Sequence, residues 1–205
     1  MSRVTPEVEM SHQSRTMHEE PTNPLIAVTR SLEETDALDS YVDALKPVAD
    51  RLVDSPARRE VLWGRGLGHA LHPVLTDVPI GAWLSAITLD LVGGPSARRA
   101  ARRLVGLGIL SAVPTAVTGL AEWSRTEGRD ARVGLVHAGG NTVGLALFTA
   151  SYVSRRREHH GLGVAFGLVG AAVAGASGYL GAHLAIARDV GTSHSAFDDA
   201  PSSAA

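Results

Sequence analysis

The chain of 205 residues has no cysteine and few aromatics, with three each of Trp, Tyr and Phe. Without cysteine it makes no disulfide, offers no thiolate to a metal or iron–sulfur cluster, and cannot attach haem covalently through a CxxCH motif. Any metal or haem would rest on His, Met, Tyr or carboxylates. Basic residues are not in excess either. With 19 Lys and Arg against 21 Asp and Glu, the net charge is −2, so there is no nucleic-acid footprint. No nucleophile elbow, P-loop or GxGxxG marks a soluble enzyme, and GRGLGH at residues 64–69 has no strand before it and reads as a hinge. No secretory signal peptide is visible, because about 70 mostly polar residues precede the first apolar run.

The most informative absence is that of charge inside long runs. Mean hydropathy is only +0.07, yet residues 133–153 and 161–187 contain no Asp, Glu, Lys or Arg. Apolar runs of about 18 residues or more can cross a bilayer as helices, and four occur, at 74–92, 104–121, 133–153 and 161–187. The expected fold class is all-α, an integral membrane four-helix bundle with an amino-terminal amphipathic helix. The chain divides into a disordered arm (1–30), an amphipathic helical arm and hinge (31–68), a four-span membrane domain (69–190) and a flexible tail (191–205).

In the arm, Leu32, Leu38, Tyr41, Val42, Leu45, Val48, Ala49 and Leu52 recur at helical spacing, Ser31 and Glu34 read as a capping box, and Pro47 as a kink or break. The polar face carries Glu33, Glu34, Asp36, Asp39 and Asp43 instead of the Lys and Arg of a surface-lying helix, which favours packing on protein. In the spans, Asp77 is expensive in lipid unless paired or facing water; a capping role toward the headgroups is the alternative. Pro114 and Thr115 predict a kink in the second span, which ends on Glu122 and Trp123. Gly140 and Gly144 form a GxxxG pair. Two small-residue ladders in the fourth span, Gly163, Gly167, Ala171, Gly175 and Gly170, Ala174, Gly178, Ala182, predict a central helix approached on two faces.

Four crossings place the start of the first span, the start of the third and the end of the fourth on one membrane side. His69, His72, His137 and His183 all fall there, whereas His159 and His160 fall opposite, in a turn read as solvated. His137 lies five residues past Arg132 and His183 five before Arg188, so both are about 7 Å inside their span ends. Candidate cofactor ligands are His137, His183, His72 and His69; the candidate metal set is His72, Asp77, His137, His183 and Glu122. Four readings stay open. Opposed histidines would hold haem b in a slot opened by the glycines. Histidine with carboxylate would hold zinc, copper or iron, although no HExxH or ExxH spacing is present. A proton or quinone-adjacent hydrogen-bond network is the third, and histidines bonding helix to helix the fourth.

Orientation is balanced by count. The first connection, with Arg98, Arg99, Arg102 and Arg103 and no acid, would be cytoplasmic under the positive-inside rule. The long polar amino-terminal region would then have to be translocated without a signal, so the expectation adopted is that both termini are cytoplasmic. The expected partner is the lipid bilayer, with a homo-oligomer also open.

The segments GHALHPVLTDVPIGAW, TGLAEW, VGLVHAGGN and SGYLGAHLA, in this order and spacing, resemble the bacterial membrane-protein family catalogued as domain of unknown function 2231, over about residues 30–198. The family's opening usually reads GHPLHP; Ala70 stands where the family usually has its first proline, while His69 and His72 are retained. The resemblance implies no established activity. Relatives often carry a Rieske-type iron–sulfur domain after the fourth span, which implies electron transfer, here with a separate Rieske-type protein because this chain has no cysteine. The motif positions carried over are His69, His72, Asp77, Pro79, Glu122, Trp123, His137, Asn141, Gly178, Tyr179, Gly181 and His183, none with an assigned role. The expected function is a haem or metal held at one membrane face for electron transfer; the competing one is a non-catalytic anchor or assembly subunit with structural histidines.

Overall fold

The computed structural model describes residues 23–192, which are helical apart from their connections. The expected disorder of residues 1–22 and the tail beyond 192 lie outside the described residues. Helix α1 (Pro24–Glu33) starts earlier than the arm's periodicity predicts. The Asn23 side chain accepts from the Leu25 amide at 2.9 Å, and Pro24 takes the first turn, where its missing N–H is harmless. Residues 24–30, expected to be disordered, are therefore helix. Ser31 lies inside α1, so the expected capping box does not form. The chain breaks at Glu34 and Thr35, and α2 (Asp39–Leu52) runs on through Pro47. One lost backbone bond is tolerated there because Val42 and Ala49 on either side are buried against the bundle. Helix α3 (Pro56–Leu62) leads to a hinge in which Gly64 and Gly68, at φ +66° and +86°, hold the left-handed conformations glycine allows.

Four long helices follow: α4 (Leu71–Val92), α5 (Gly94–Trp123), α6 (Gly128–Arg156) and α7 (His160–Ala182), the last continued by a π turn, His183–Ala187. Each is long and apolar enough to cross a membrane; at 1.5 Å per residue even the 22 residues of α4 span about 33 Å. The α4–α5 connection is shorter than expected. Gly94, at φ +63°, reverses the chain at once, and Arg98 to Arg103 form the first turns of α5 instead of a loop. The helices pack in the cyclic order α4, α5, α6, α7, with exposed Val78, Leu84, Leu110, Val143 and Leu168 as the lipid-facing surface. Helices α5 and α6 each touch four others, α5 packing on α4, α6, α2 and α3, and α6 on α5, α7, α1 and α2. The fourth span was expected at the centre, but its Gly175 and Gly178 face open space, and only the Gly163, Gly167 and Gly170 side of its ladders is closely approached. Gly140 and Gly144 do meet α7, at Ser177 and Ala174.

The bundle is two hairpins that repeat one another. His72, Trp83 and Asp90 on α4 recur 65 residues later as His137, Phe148 and Arg155 on α6. Gly108, Thr115 and Gly119 on α5 recur as Gly170, Ser177 and Gly181 on α7. In each hairpin the aromatic ring lies on the first of these glycines, Trp83 on Gly108 and Phe148 on Gly170, where a Cβ would stand 2.2 and 3.3 Å from the ring. The two rings stack on each other at 4.0 Å between centres and 7° between planes. Both hairpins start on the same face, so the approximate two-fold axis runs along the bundle.

Candidate functional site

The imidazoles of His72 and His137 meet on this axis, 6.3 Å between ring centres and nearly perpendicular. His72 Nδ1 donates to the Thr115 carbonyl at 2.8 Å and His137 Nδ1 to the Ser177 carbonyl at 2.7 Å. A carbonyl only accepts, so both rings carry their proton on Nδ1. The hydroxyls return the bond across each hairpin, Thr115 Oγ1 to the Leu75 carbonyl at 3.2 Å and Ser177 Oγ to the His137 carbonyl at 2.7 Å. Gly119 and Gly181, one turn beyond, leave room for the rings; a Cβ there would stand 2.7 and 2.6 Å from Cε1. Asn141 Nδ2 lies 3.1 Å from His137 Nε2.

The other candidates lie elsewhere. His183 Nε2 is 2.9 Å from Glu33 Oε1 of α1, beside a cleft of about 300 Å³ that Tyr179 also lines. It therefore joins the arm to the bundle and does not stand opposite His137. His69 is exposed, with Nδ1 on the Ala70 carbonyl at 3.1 Å. Asp77 is exposed on α4. Glu122 is buried and accepts from Thr192 Oγ1 at 2.7 Å, with Arg125 NH1 on the same hydroxyl at 2.6 Å. Among the described residues no three His, Cys, Asp or Glu converge as metal ligands.

Sequence reasoning missed a buried ion pair at the opposite face. Arg155 donates from NH1 and NH2 to both oxygens of Asp90, at 2.8 and 2.5 Å, and from Nε to Ser151 Oγ at 3.1 Å. The side chains are 2% and 1% exposed, and His160 Nε2 is 3.7 Å from Asp90. Arg155, expected in a solvated turn, is instead buried, and His160 is half-buried beside Asp90. The signal that would have found the pair is the repeat spacing, which sets Arg155 opposite Asp90 as it sets His137 opposite His72.

The arm is fixed to the histidine face by charge. Arg132 binds both carboxylate oxygens of Asp39, at 2.6 and 2.7 Å, together with Asp36 and the Glu33 carbonyl. The guanidinium holds the Asp39 carboxyl below its usual range. Lys46 Nζ caps the end of α5, donating to the carbonyls of Trp123, Ser124 and Thr126, and burial pushes its pKa down. Trp63 Nε1 donates to the Ala121 carbonyl at 2.9 Å. The amphipathic arm thus packs on protein, although Tyr41, Leu45 and Val48 of its stripe stay exposed.

These features define a four-span helical membrane bundle capped by a docked helical arm. A family model described as "Predicted membrane protein (DUF2231)" matches residues 68–194, and the chain belongs to that family. Neither the curated proteins nor the solved structures give a match.

Proposed function

We propose that the protein is a non-catalytic membrane anchor or assembly subunit whose histidines lock its helices together. The observation that carries this reading is the use of the ring nitrogens: His72 and His137 each bond the backbone of the neighbouring helix, and His183 bonds the arm. The exposed stripe Tyr41, Leu45 and Val48, held outward by the arm's ion pairs, supports a docking role for the arm. The test combines a spectrum and elemental analysis of the detergent-purified protein with photo-crosslinkers at Tyr41 and Val48 in cells. A colourless protein that crosslinks to one defined protein supports the reading; a Soret band or the absence of any protein adduct overturns it.

A second reading is a haem- or metal-bearing electron carrier serving a separate Rieske-type protein. It draws on one observation, the facing of His72 and His137 across 6.3 Å. An absorption band lost in both His72→Ala and His137→Ala would establish it. In either reading the protein sits in a bacterial inner membrane with cytoplasmic termini.

A further inference from the structure

The face that carries the Asp90–Arg155 pair is strongly basic. Residues 91–103 and 154–160 hold seven arginines against one carboxylate, Glu158, and Asp90 is taken by Arg155. Arg98, Arg99, Arg102, Arg103, Arg156 and Arg157 form no salt bridge among the described residues, whereas at the arm face Arg125, Arg132 and Arg188 each have a carboxylate. The six stand at the edge of the uncharged runs, directly before 104–121 and just after 133–153. Two helices bring them onto one groove. Gly106 of α5 meets Tyr152 of α6, where a Cβ would stand 3.0 Å from the ring. These helices run in opposite directions, so one turn nearer the basic face, in the same rows as the contact, come Arg102 on α5 and Arg156 on α6. They flank the groove, and half-buried Tyr152 lies in its floor.

We propose that the α5–α6 groove at this face binds the headgroup of an anionic phospholipid from the surrounding bilayer, with its phosphate between Arg102 and Arg156. Guanidinium pairs phosphate through parallel hydrogen bonds, and basic pockets between membrane helices take anionic headgroups. The surface below the charge selects a lipid over other anions. Arg103, Leu107 and Leu110 follow one another at i, i+4 and i+7 on α5, both leucines are exposed, and Val153 beside them on α6 is exposed as well. A ligand with an anionic head and hydrocarbon tails matches the arginines and the apolar track together. A free phosphate or an acidic soluble protein would use the arginines alone. Tyr152 brings a hydroxyl to the depth where headgroup meets chain, a level at which tyrosine is commonly found. A zwitterionic lipid adds a cation that the surplus arginine charge repels. The site lies at the end away from the arm, so it stands apart from the anchoring role.

The experiment titrates the delipidated full chain in mild detergent with phosphatidylglycerol or with phosphatidylcholine of the same chains, and reads bound lipid by native mass spectrometry. The wild type is expected to retain phosphatidylglycerol in preference to phosphatidylcholine. Arg102→Gln with Arg156→Gln should weaken phosphatidylglycerol binding by about 25-fold, from roughly fivefold per arginine, with unchanged helical circular dichroism. Arg30→Gln with Arg129→Gln removes the same charge from exposed arginines at the arm face and should bind as the wild type. Equal affinity for the two lipids overturns the proposal, as does an equal loss in the two double variants. It is also overturned if inorganic phosphate or polyglutamate displaces the lipid at concentrations matched in charge, since the face would then be a general anion surface. Should the Arg102–Arg156 double variant fail to fold, the two single glutamine variants decide, each expected to bind about fivefold more weakly; wild-type affinity in both sinks the proposal.

Discussion

Asp90→Asn offers the sharpest test of how the hairpins are held together. The substitution keeps shape and polarity but leaves the Arg155 guanidinium, 2% exposed, without its counter-charge. Ser151 Oγ still accepts from Nε, and His160 supplies no negative charge. Removing one partner of a buried ion pair costs about 3–5 kcal/mol, because the survivor's desolvation is no longer offset. At about 1.4 kcal/mol per tenfold, the folded population relative to the unfolded should fall by roughly two to three and a half orders of magnitude. Arg155→Met should fall in the same range, stranding the carboxylate. The double variant Asp90→Leu with Arg155→Met buries no charge and should lie within about 1–2 kcal/mol of the wild type. The assay is equilibrium unfolding in mixed micelles titrated with dodecyl sulfate, followed by helical circular dichroism. Single variants within about 0.5 kcal/mol of the wild type, or a double variant as unstable as the two singles combined, would refute the reasoning.

Gly119→Val and Gly181→Val drive a side chain into the His72 and His137 rings and should each cost about 1–3 kcal/mol in the same assay, while Gly175→Val, which meets nothing within 4 Å, should not; equal losses would count against the clamps. The arm should undock in acid. Arg132 depresses the Asp39 pKa, so the contribution to docking is complete above the free carboxyl value of about 3.9 and is lost as pH falls through the lower folded value. Limited pepsin cleavage between α1 and α2, normalised to an unfolded substrate at each pH, should therefore rise only below about pH 4, and Arg132→Gln should flatten that rise. Because the chain has no native cysteine, single cysteines report orientation cleanly. With cytoplasmic termini, an impermeant maleimide should label Ser96→Cys and not Ser124→Cys in intact cells; the reverse pattern would invert the topology.

The four spans were legible because lipid demands long uncharged runs, and those runs stand out despite an average composition close to that of a soluble protein. The docking of the arm on protein was legible from its acidic polar face, which found Arg132 and His183. Its start was not, since Asn23 and Pro24 act through local capping outside the periodic stretch. The site was half legible. Counting residues from a span end gives depth but not direction around the helix. His137 and His183 were therefore paired by depth, whereas the chain turns His183 toward Glu33 and brings His72 to His137. The Asp90–Arg155 pair was hidden because both residues sit near span ends, where charge normally faces water.

The stacked Trp83 and Phe148 rings have a consequence for access. Together with the Asp90–Arg155 lock beyond them, they stop the middle of the bundle as a double bulkhead. The imidazole pair and the ion pair therefore stand on opposite sides of a filled layer, and a side chain introduced at either end of the axis meets that layer before it meets the other pair.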